Sequence, residues 1–160
     1  MIDKSIKNEL KKSLINNKLC VYIGSGFSTP CGLPVWKELM RPLAESIGFD
    51  IEKESEYMQI AQYYVNEKNR HELNEIIREK FNLKSKITEN SENHKLLTSL
   101  SLTEVWTTNY DNALENSYKE LNVDFDLKIQ KDDLSYGINK KLQIYKIHGS
   151  YENPDECIIT

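Results

Sequence analysis

Three short apolar segments of the sequence each end in a cluster of small polar residues, and this pattern constrains the fold most strongly. The segments are residues 19–23, 105–108 and 142–147, and the clusters at their ends are residues 24–28, 107–111 and 148–150. Nearly continuous apolar runs of this length are typical of strands buried in a parallel sheet. The carboxyl ends of neighbouring parallel strands face one crevice, where ligands bind. We therefore predict that the three clusters line a single site.

Segments with apolar residues at helical spacing separate these strands, and together they define the fold class. They cover residues 5–17, 36–47, 56–67, 70–81, 94–100 and 112–121. A further strand is predicted at 124–129, and another begins at Cys157. This order predicts an α/β fold, a Rossmann-like parallel sheet flanked by helices, with an inserted helical segment at about 50–100. Because a strand begins so close to residue 160, we expect the domain to be incomplete at its C-terminus.

Two local predictions follow from single residues. Pro42 lies inside the segment 36–47, where a proline lacks the N–H that a helix needs, so it is expected to break or kink that helix. Cys20 lies inside the first apolar run, and we expect it to be a core residue.

Charge and cysteine content exclude several classes of function. The chain has 21 basic and 25 acidic residues, a net charge of −4, so direct nucleic-acid binding is not expected. Its three cysteines are far apart and form no CxxC pair, which predicts neither a disulfide framework nor a zinc ribbon. No apolar run approaches the ~18 residues of a membrane span, and no signal peptide is recognisable. We expect a cytoplasmic protein that does not enter membranes.

The first polar cluster carries two glycines directly after a strand. The sequence Gly24-Ser25-Gly26 is the kind of turn that lets backbone amides approach a phosphate closely. The third glycine of the dinucleotide fingerprint is missing, because Thr29 stands at that position. The alternative interpretation is an ordinary tight turn.

The other two clusters carry residues with both structural and chemical interpretations. Asn109 and Asp111 precede a predicted helix and are suited to forming its turn and N-cap. His148, followed by Gly149-Ser150, is a candidate general base, although a histidine at a strand end is more often structural. His71 and His94 lie in charged helical surroundings, where we expect them to be solvated or to cap a helix.

Taken together, the three clusters resemble the motifs of the sirtuin superfamily. Residues 24–34 are similar to the sirtuin loop Gly-Ala-Gly-Ile-Ser-x-x-x-Gly-Ile-Pro, and residues 107–111 to Thr-Gln-Asn-Ile-Asp. The pair His148-Gly149 resembles the family's His-Gly pair. The resemblance spans about residues 19–160, so residues 1–160 are identified as the N-terminal portion of a single sirtuin-like NAD-binding domain.

Departures from the protein deacylases indicate which branch of the family is closest. Val35-Trp36-Lys37 stands where those enzymes have Asp-Phe-Arg, and the cysteines of a zinc ribbon are missing. The chain is more similar to the zinc-free bacterial branch, whose members cleave NAD as effectors of antiphage defence. The resemblance implies NAD as the substrate, no zinc, and either a homo-oligomer or a C-terminal sensor region or partner protein.

The resemblance also implies roles for individual residues. The backbone of Gly24, Ser25, Gly26, Phe27 and Ser28 would hold the diphosphate. Asp111 would bind the nicotinamide carboxamide, Asn109 would position the ribose or the attacking water, and His148 would act as general base. Pro34, Trp36 and Thr108 complete the predicted binding set, and for Trp36 a role in the core is an equal alternative.

Two other functions remain open at this point. The first is a catalytically inert module that binds NAD or another nucleotide, or that serves oligomerisation. The second, protein deacylation, is the least favoured because the zinc ligands are missing.

Overall fold

The computed structural model describes residues 3–53, 56–83, 89, 91–135 and 142–158. Six α-helices and four β-strands are present in these residues. The helices are α1 (Lys4–Ile15), α2 (Trp36–Ser46), α3 (Tyr57–Glu67), α4 (Arg70–Phe81), α5 (Glu92–Thr98) and α6 (Ala113–Glu120). The strands are β1 (Cys20–Ile23), β2 (Glu104–Thr107), β3 (Phe125–Lys128) and β4 (Leu142–Lys146).

The four strands form one sheet in the order β1-β2-β4-β3, and every pair of neighbours is parallel. The predicted α/β class with a Rossmann-like parallel sheet flanked by helices is therefore confirmed. Helices α3, α4 and α5 supply the predicted helical insertion. Because β1, β2 and β4 are adjacent, the polar clusters that follow them meet at the same edge of the sheet.

The described residues form two apolar cores. The first is formed by α2, α3 and α4, with Met40, Leu43, Leu73 and Ile77 fully buried. The second packs one face of the sheet against α5 and α6. Tyr110, which follows β2, belongs to the first core, so the loop after β2 is anchored between sheet and helices.

The first strand differs from its predicted environment, because β1 is an edge strand. Among the described residues it pairs with β2 alone. Cys20 is exposed rather than buried in the core, and Tyr22 retains 63% of its accessible surface. The prediction of a strand buried on both faces was therefore wrong. An apolar run alone does not distinguish an edge strand from a central one.

Helix α2 runs through Pro42 without interruption, contrary to the predicted break. Pro42 is exposed, while Leu39, Met40, Leu43 and Ala44 are buried in the first core. Burial of that apolar face compensates for the single backbone hydrogen bond that proline removes.

The strand predicted from Cys157 does not form within the described residues. Cys157 follows the short 3₁₀ turn Pro154–Glu156, and the N–H of Ile158 donates to the carbonyl of His148 at 3.0 Å. This bond places Ile158 beside the residues that follow β4. The last two predicted positions, 159 and 160, lie outside the described residues.

Candidate functional site

The loop after β1 turns sharply and buries one hydroxyl group. Gly24 precedes a 3₁₀ turn over Ser25–Phe27, in which the N–H of Phe27 donates to the carbonyl of Gly24 at 2.9 Å. A second 3₁₀ turn, Thr29–Cys31, follows directly. Ser28, between the two turns, is only 1% exposed. The loop therefore directs the Ser28 hydroxyl toward the interior of the protein.

Ser28 connects to the loop after β2 through two side-chain contacts. The Asn109 Nδ2 amide donates to Ser28 Oγ at 3.1 Å, and Ser28 Oγ donates to Asp111 Oδ1 at 3.4 Å. With Nδ2 engaged in this way, Asn109 Oδ1 is buried and has no hydrogen-bond partner. Since buried acceptors are normally satisfied, this oxygen is suited to a donor supplied by a ligand or water.

Asp111 serves both the cluster and the following helix. Its Oδ1 accepts the N–H of Ala113 at 2.9 Å, which confirms the predicted turn before the helix. The N-cap position is Asn112 rather than Asp111, because the helix begins one residue later than predicted. Burial raises the pKa of this carboxyl above its usual value, while the Ala113 N–H, the Lys146 ammonium and the Ser28 hydroxyl oppose that rise. The pKa of this buried carboxyl therefore depends both on its burial and on these neighbouring groups.

A small cleft opens beside these groups. Its polar side is formed by Asn109 and Asp111, and its apolar side contains an aromatic wall in which Tyr110 packs edge-on against Trp36 and Phe81. The lining residues are Ser25, Pro34, Trp36, Leu39, Phe81, Thr108, Asn109, Tyr110 and Asp111. Apolar walls with a few convergent polar groups are typical of small-molecule sites.

His148 lies at the end of β4, at the same edge of the sheet. Its imidazole is half-buried, and its Nδ1 is buried without a hydrogen-bond partner among the described residues. Burial lowers the pKa of the imidazole below its ordinary value, which favours the neutral form at neutral pH. A neutral imidazole is the form that accepts a proton.

The predicted site residues fall into two groups in the structure. Six of them line the cleft, and Ser28 is joined to them by hydrogen bonds; the six are Ser25, Pro34, Trp36, Thr108, Asn109 and Asp111. Gly24, Gly26, Phe27 and His148 are not among the lining residues. The Phe27 ring instead packs against His94, with ring centroids 4.7 Å apart.

The expectation that His94 is solvated or caps a helix through its side chain was wrong. His94 is fully buried, and its Nδ1 lies 2.8 Å from the hydroxyl of Ser91, which is the N-cap of α5. Burial lowers the pKa of His94 to about 4. Charged neighbours in sequence suggested a solvated position, but those neighbours occupy the other face of α5.

Sequence reasoning also missed four residues at or beside the site. Leu39 and Phe81 reach the cleft from α2 and α4, and no local motif distinguishes them from ordinary core residues. Tyr110 stands inside the recognised motif and could have been included on that ground. Lys146, two positions before His148, is buried beside Asp111 and is described further below.

The described residues contain no group of three or more histidine, cysteine, aspartate or glutamate side chains placed to hold a metal ion. Nor does any helix in the described part of the chain have the length and apolar character needed to cross a membrane.

Comparison with known proteins gives consistent matches. Residues 103–160 match the SIR2-like domain family. The NAD(+) hydrolase ThsA of Bacillus cereus is 34% identical over 94% of this chain and 32% of its own length. The NAD(+) hydrolase ThsA of Acinetobacter baumannii is 36% identical over 100% of this chain and 32% of its own length.

A more distant relative, defense-associated sirtuin 2 of Bacillus subtilis, is 25% identical over 94% of this chain and 15% of its own length. The chain therefore spans about a third or less of the length of the curated relatives it matches.

Proposed function

Because this chain belongs to the SIR2-like family, we propose that it supplies the nicotinamide–ribose portion of an NAD glycohydrolase site. The proposal rests on one observation above all, the buried and unpartnered Oδ1 of Asn109 at the polar side of the cleft. The names of the relatives, two of which are quoted above as NAD(+) hydrolases, make NAD the ligand to test first. The reaction releases nicotinamide and leaves ADP-ribose.

The bond to be broken sets the demands on the site. The C–N bond between nicotinamide and ribose breaks through an oxocarbenium-like transition state, as in glycoside hydrolysis. Nicotinamide departs as a neutral base, so no general acid is needed. The site must hold the substrate, orient the nicotinamide and position a water molecule against the sugar carbon.

The contacts in the cleft support a separate role for each of its side chains. Asn109 Oδ1 accepts a hydrogen bond from a ribose hydroxyl or from the attacking water, and Ser28 holds the amide in that orientation. Asp111, which is buried in the same cluster, binds the carboxamide of nicotinamide. The Trp36 and Tyr110 rings form the apolar surface against which the nicotinamide ring packs.

The remaining roles belong to the first loop and to β4. The backbone of residues 24–28 holds the diphosphate, while the Ser28 hydroxyl, already engaged with Asn109 and Asp111, acts on those side chains. His148, whose lowered pKa keeps the imidazole neutral, takes a proton from water or from a ribose hydroxyl. NAD is thus a substrate, and the chemistry assigned to these residues uses no zinc.

One observation favours a second function, a module that binds NAD or a related nucleotide without cleaving it. His148 is not among the residues that line the cleft. The proposed general base therefore does not face the same cleft as the proposed binding residues. In that case NAD binding to this domain would change the activity of another part of a longer protein.

The biological setting that fits the relatives is antiphage defence. One relative is named a defense-associated sirtuin. An NADase would act in defence by depleting the NAD of an infected cell. We propose that the protein acts in the cytoplasm, where NAD is available. We further propose that its activity is controlled by a homo-oligomer or by a C-terminal sensor region or partner protein.

Chromatography of NAD incubated with the protein tests the proposal. We expect nicotinamide and ADP-ribose as products, with turnover lowered ~10²-fold or more by Asn109→Ala and by His148→Ala. His71→Ala, at an exposed position on α4, is the matched control and should leave turnover unchanged. NAD that raises the melting temperature without releasing nicotinamide would instead establish the binding module.

A further inference from the structure

Lys146 is buried beside the candidate site, and the proposed chemistry does not use it. Its side chain is fully buried, and its ammonium lies 2.8 Å from Glu115 Oε1. The same ammonium donates to the carbonyl oxygen of Asp111 at 2.6 Å and to that of Tyr110 at 3.1 Å. The three protons of the ammonium therefore meet three acceptors, so every donor of this buried group is satisfied.

These acceptors come from two different parts of the fold. The carbonyls belong to the segment after β2, and the carboxylate belongs to α6, while Lys146 is the last residue of β4. Lys146 pairs in register with Thr107 of β2, and His148 follows two positions later. A single side chain thus ties the end of β4 to the segment that carries Asn109 and Asp111.

Other hydrogen bonds also hold that segment, among them one from the N–H of Thr108 to the carbonyl of Ile23 at 3.3 Å and one from the Tyr110 hydroxyl to the carbonyl of Ile158 at 2.8 Å. The N–H of Asn109 donates to Thr107 Oγ1 at 3.0 Å, and the N–H of Tyr151 donates to the carbonyl of Tyr110 at 3.0 Å. None of these bonds reaches the carbonyl of Asp111, which receives its donor from Lys146. Removing the ammonium would leave that buried carbonyl without this donor.

We propose that Lys146 is a positioning residue, which fixes the backbone of Tyr110 and Asp111 and so sets the side chains of Asn109 and Asp111 against NAD. The proposal rests on the proposed function for its effect on turnover. Glu115 supplies the third acceptor that holds the Lys146 ammonium in place.

The alternative is that Lys146 and Glu115 contribute only to stability, and a double substitution separates the two. Replacing a buried ion pair by apolar residues of similar volume is often neutral for stability, because no buried charge is left alone. We expect Lys146→Met with Glu115→Leu to lower the melting temperature less than Lys146→Met alone does, because no buried charge is left alone and only the Asp111 carbonyl loses its donor. Turnover of NAD by this variant should nevertheless fall ~10-fold or more, because the carbonyl of Asp111 has lost its donor.

Glu115→Gln is the control for position, because its amide oxygen can still accept from Lys146 and the Asp111 carbonyl keeps its donor. It removes one charge of a buried pair, so we expect a lower melting temperature. We expect its turnover to remain within about threefold of wild type. If the apolar double variant does not fold, the double variant Lys146→Met with Glu115→Gln takes its place. It also leaves no buried charge, and we expect the same effects on melting temperature and turnover.

A spectroscopic measurement makes the test independent of catalysis. Trp36 packs edge-on against the Tyr110 ring, with centroids 5.7 Å apart, so it reports the position of that residue. In protein labelled with 5-fluorotryptophan, the ¹⁹F resonance of Trp36 is identified as the one lost in Trp36→Phe. We expect this resonance to shift in the double variant and to stay in place in Glu115→Gln.

Turnover and the Trp36 resonance together decide between the two roles of Lys146. A shifted resonance with lost turnover in the double variant supports the proposal, and turnover close to wild type overturns it. An unmoved Trp36 resonance overturns it whatever the turnover. If the unsubstituted protein does not cleave NAD, the proposed function fails by itself. The resonance comparison then still decides whether Lys146 holds the segment.

Discussion

The two glycines that follow β1 and β4 in the recognised motifs, Gly26 and Gly149, meet very different surroundings. A Cβ atom built at Gly26 would have nothing within 4 Å. At Gly149 it would lie 3.1 Å from the Cα of Cys157, and the backbone φ is +92°, which side chains rarely adopt. The protein's own packing explains glycine at 149, whereas no atom of the described residues within 4 Å requires glycine at 26.

Alanine substitution at these two positions should therefore separate binding from stability. We expect Gly26→Ala to leave the melting temperature unchanged and to weaken NAD binding ~10-fold, because a methyl group would occupy the approach of the diphosphate. Gly149→Ala should lower stability by ~1–3 kcal/mol through strain and the contact with Cys157. Calorimetric titration with NAD and thermal unfolding measure the two effects, and unchanged NAD affinity in Gly26→Ala would contradict the proposed role of the loop.

The buried His94 predicts a loss of stability in acid. Its pKa is about 4 in the folded protein because of burial, with Glu120 acting more weakly in the opposite direction, against an ordinary value of 6.5. As the pH falls below 6.5, the unfolded chain binds a proton that the folded chain does not, so stability is lost progressively down to about pH 4. Between pH 7 and pH 5 this histidine should cost about 2 kcal/mol.

Urea unfolding at pH 7 and pH 5 checks this expectation. The variant His94→Gln has a side chain that can still bond to Ser91 but does not titrate, so its loss between the two pH values should be smaller by about 2 kcal/mol. His71→Gln, which removes an exposed imidazole from α4, is the comparison variant. An equal acid loss in wild type and His94→Gln would show that other groups dominate.

At the scale of elements, helix α2 contains a proline that lowers the stability of the helix. Pro42 is exposed in the middle of Trp36–Ser46, where its ring removes one backbone hydrogen bond while its side chain fills no core space. We expect Pro42→Ala to raise the free energy of unfolding by about 1–2 kcal/mol, with NAD turnover unchanged. Pro154, which is buried at the start of a 3₁₀ turn, is the matched position, and Pro154→Ala should give no gain.

The elements themselves were largely predictable from the sequence, because periodicity and turn residues are local signals. The predicted segments 70–81 and 124–129 correspond to α4 and β3 within a residue or so at each end. The order of the strands, the exposure of β1 and the burial of His94 were not predictable, since each depends on which elements pack together. The cleft shows the same division. Asn109 and Asp111 stand in a recognisable motif, whereas Phe81 reaches the cleft only through the packing of α4.

At the scale of the whole molecule, the two edges of the sheet are protected to different degrees. The edge strand β3, with the sequence Phe-Asp-Leu-Lys, carries two charged residues, which discourage pairing with another strand. The opposite edge strand β1, with the sequence Cys-Val-Tyr-Ile, carries no charge. Its Tyr22 is 63% exposed, and among the described residues β1 pairs with β2 alone. An uncharged edge of this kind can pair with a further strand, from the same protein or from another copy.

This asymmetry predicts concentration-dependent self-association of the 160-residue chain through β1. We expect light scattering to show an apparent mass that rises with protein concentration, and Tyr22→Lys to suppress that rise by placing a charge on the edge. Tyr63→Lys adds the same charge at an exposed position on α3, away from the sheet, and should leave the association as it is. If both lysine variants reduce association equally, net charge rather than the edge of β1 controls it. If only Tyr22→Lys acts, β1 is the surface that a partner strand covers, and the homo-oligomer proposed for the active protein has a structural basis at this edge.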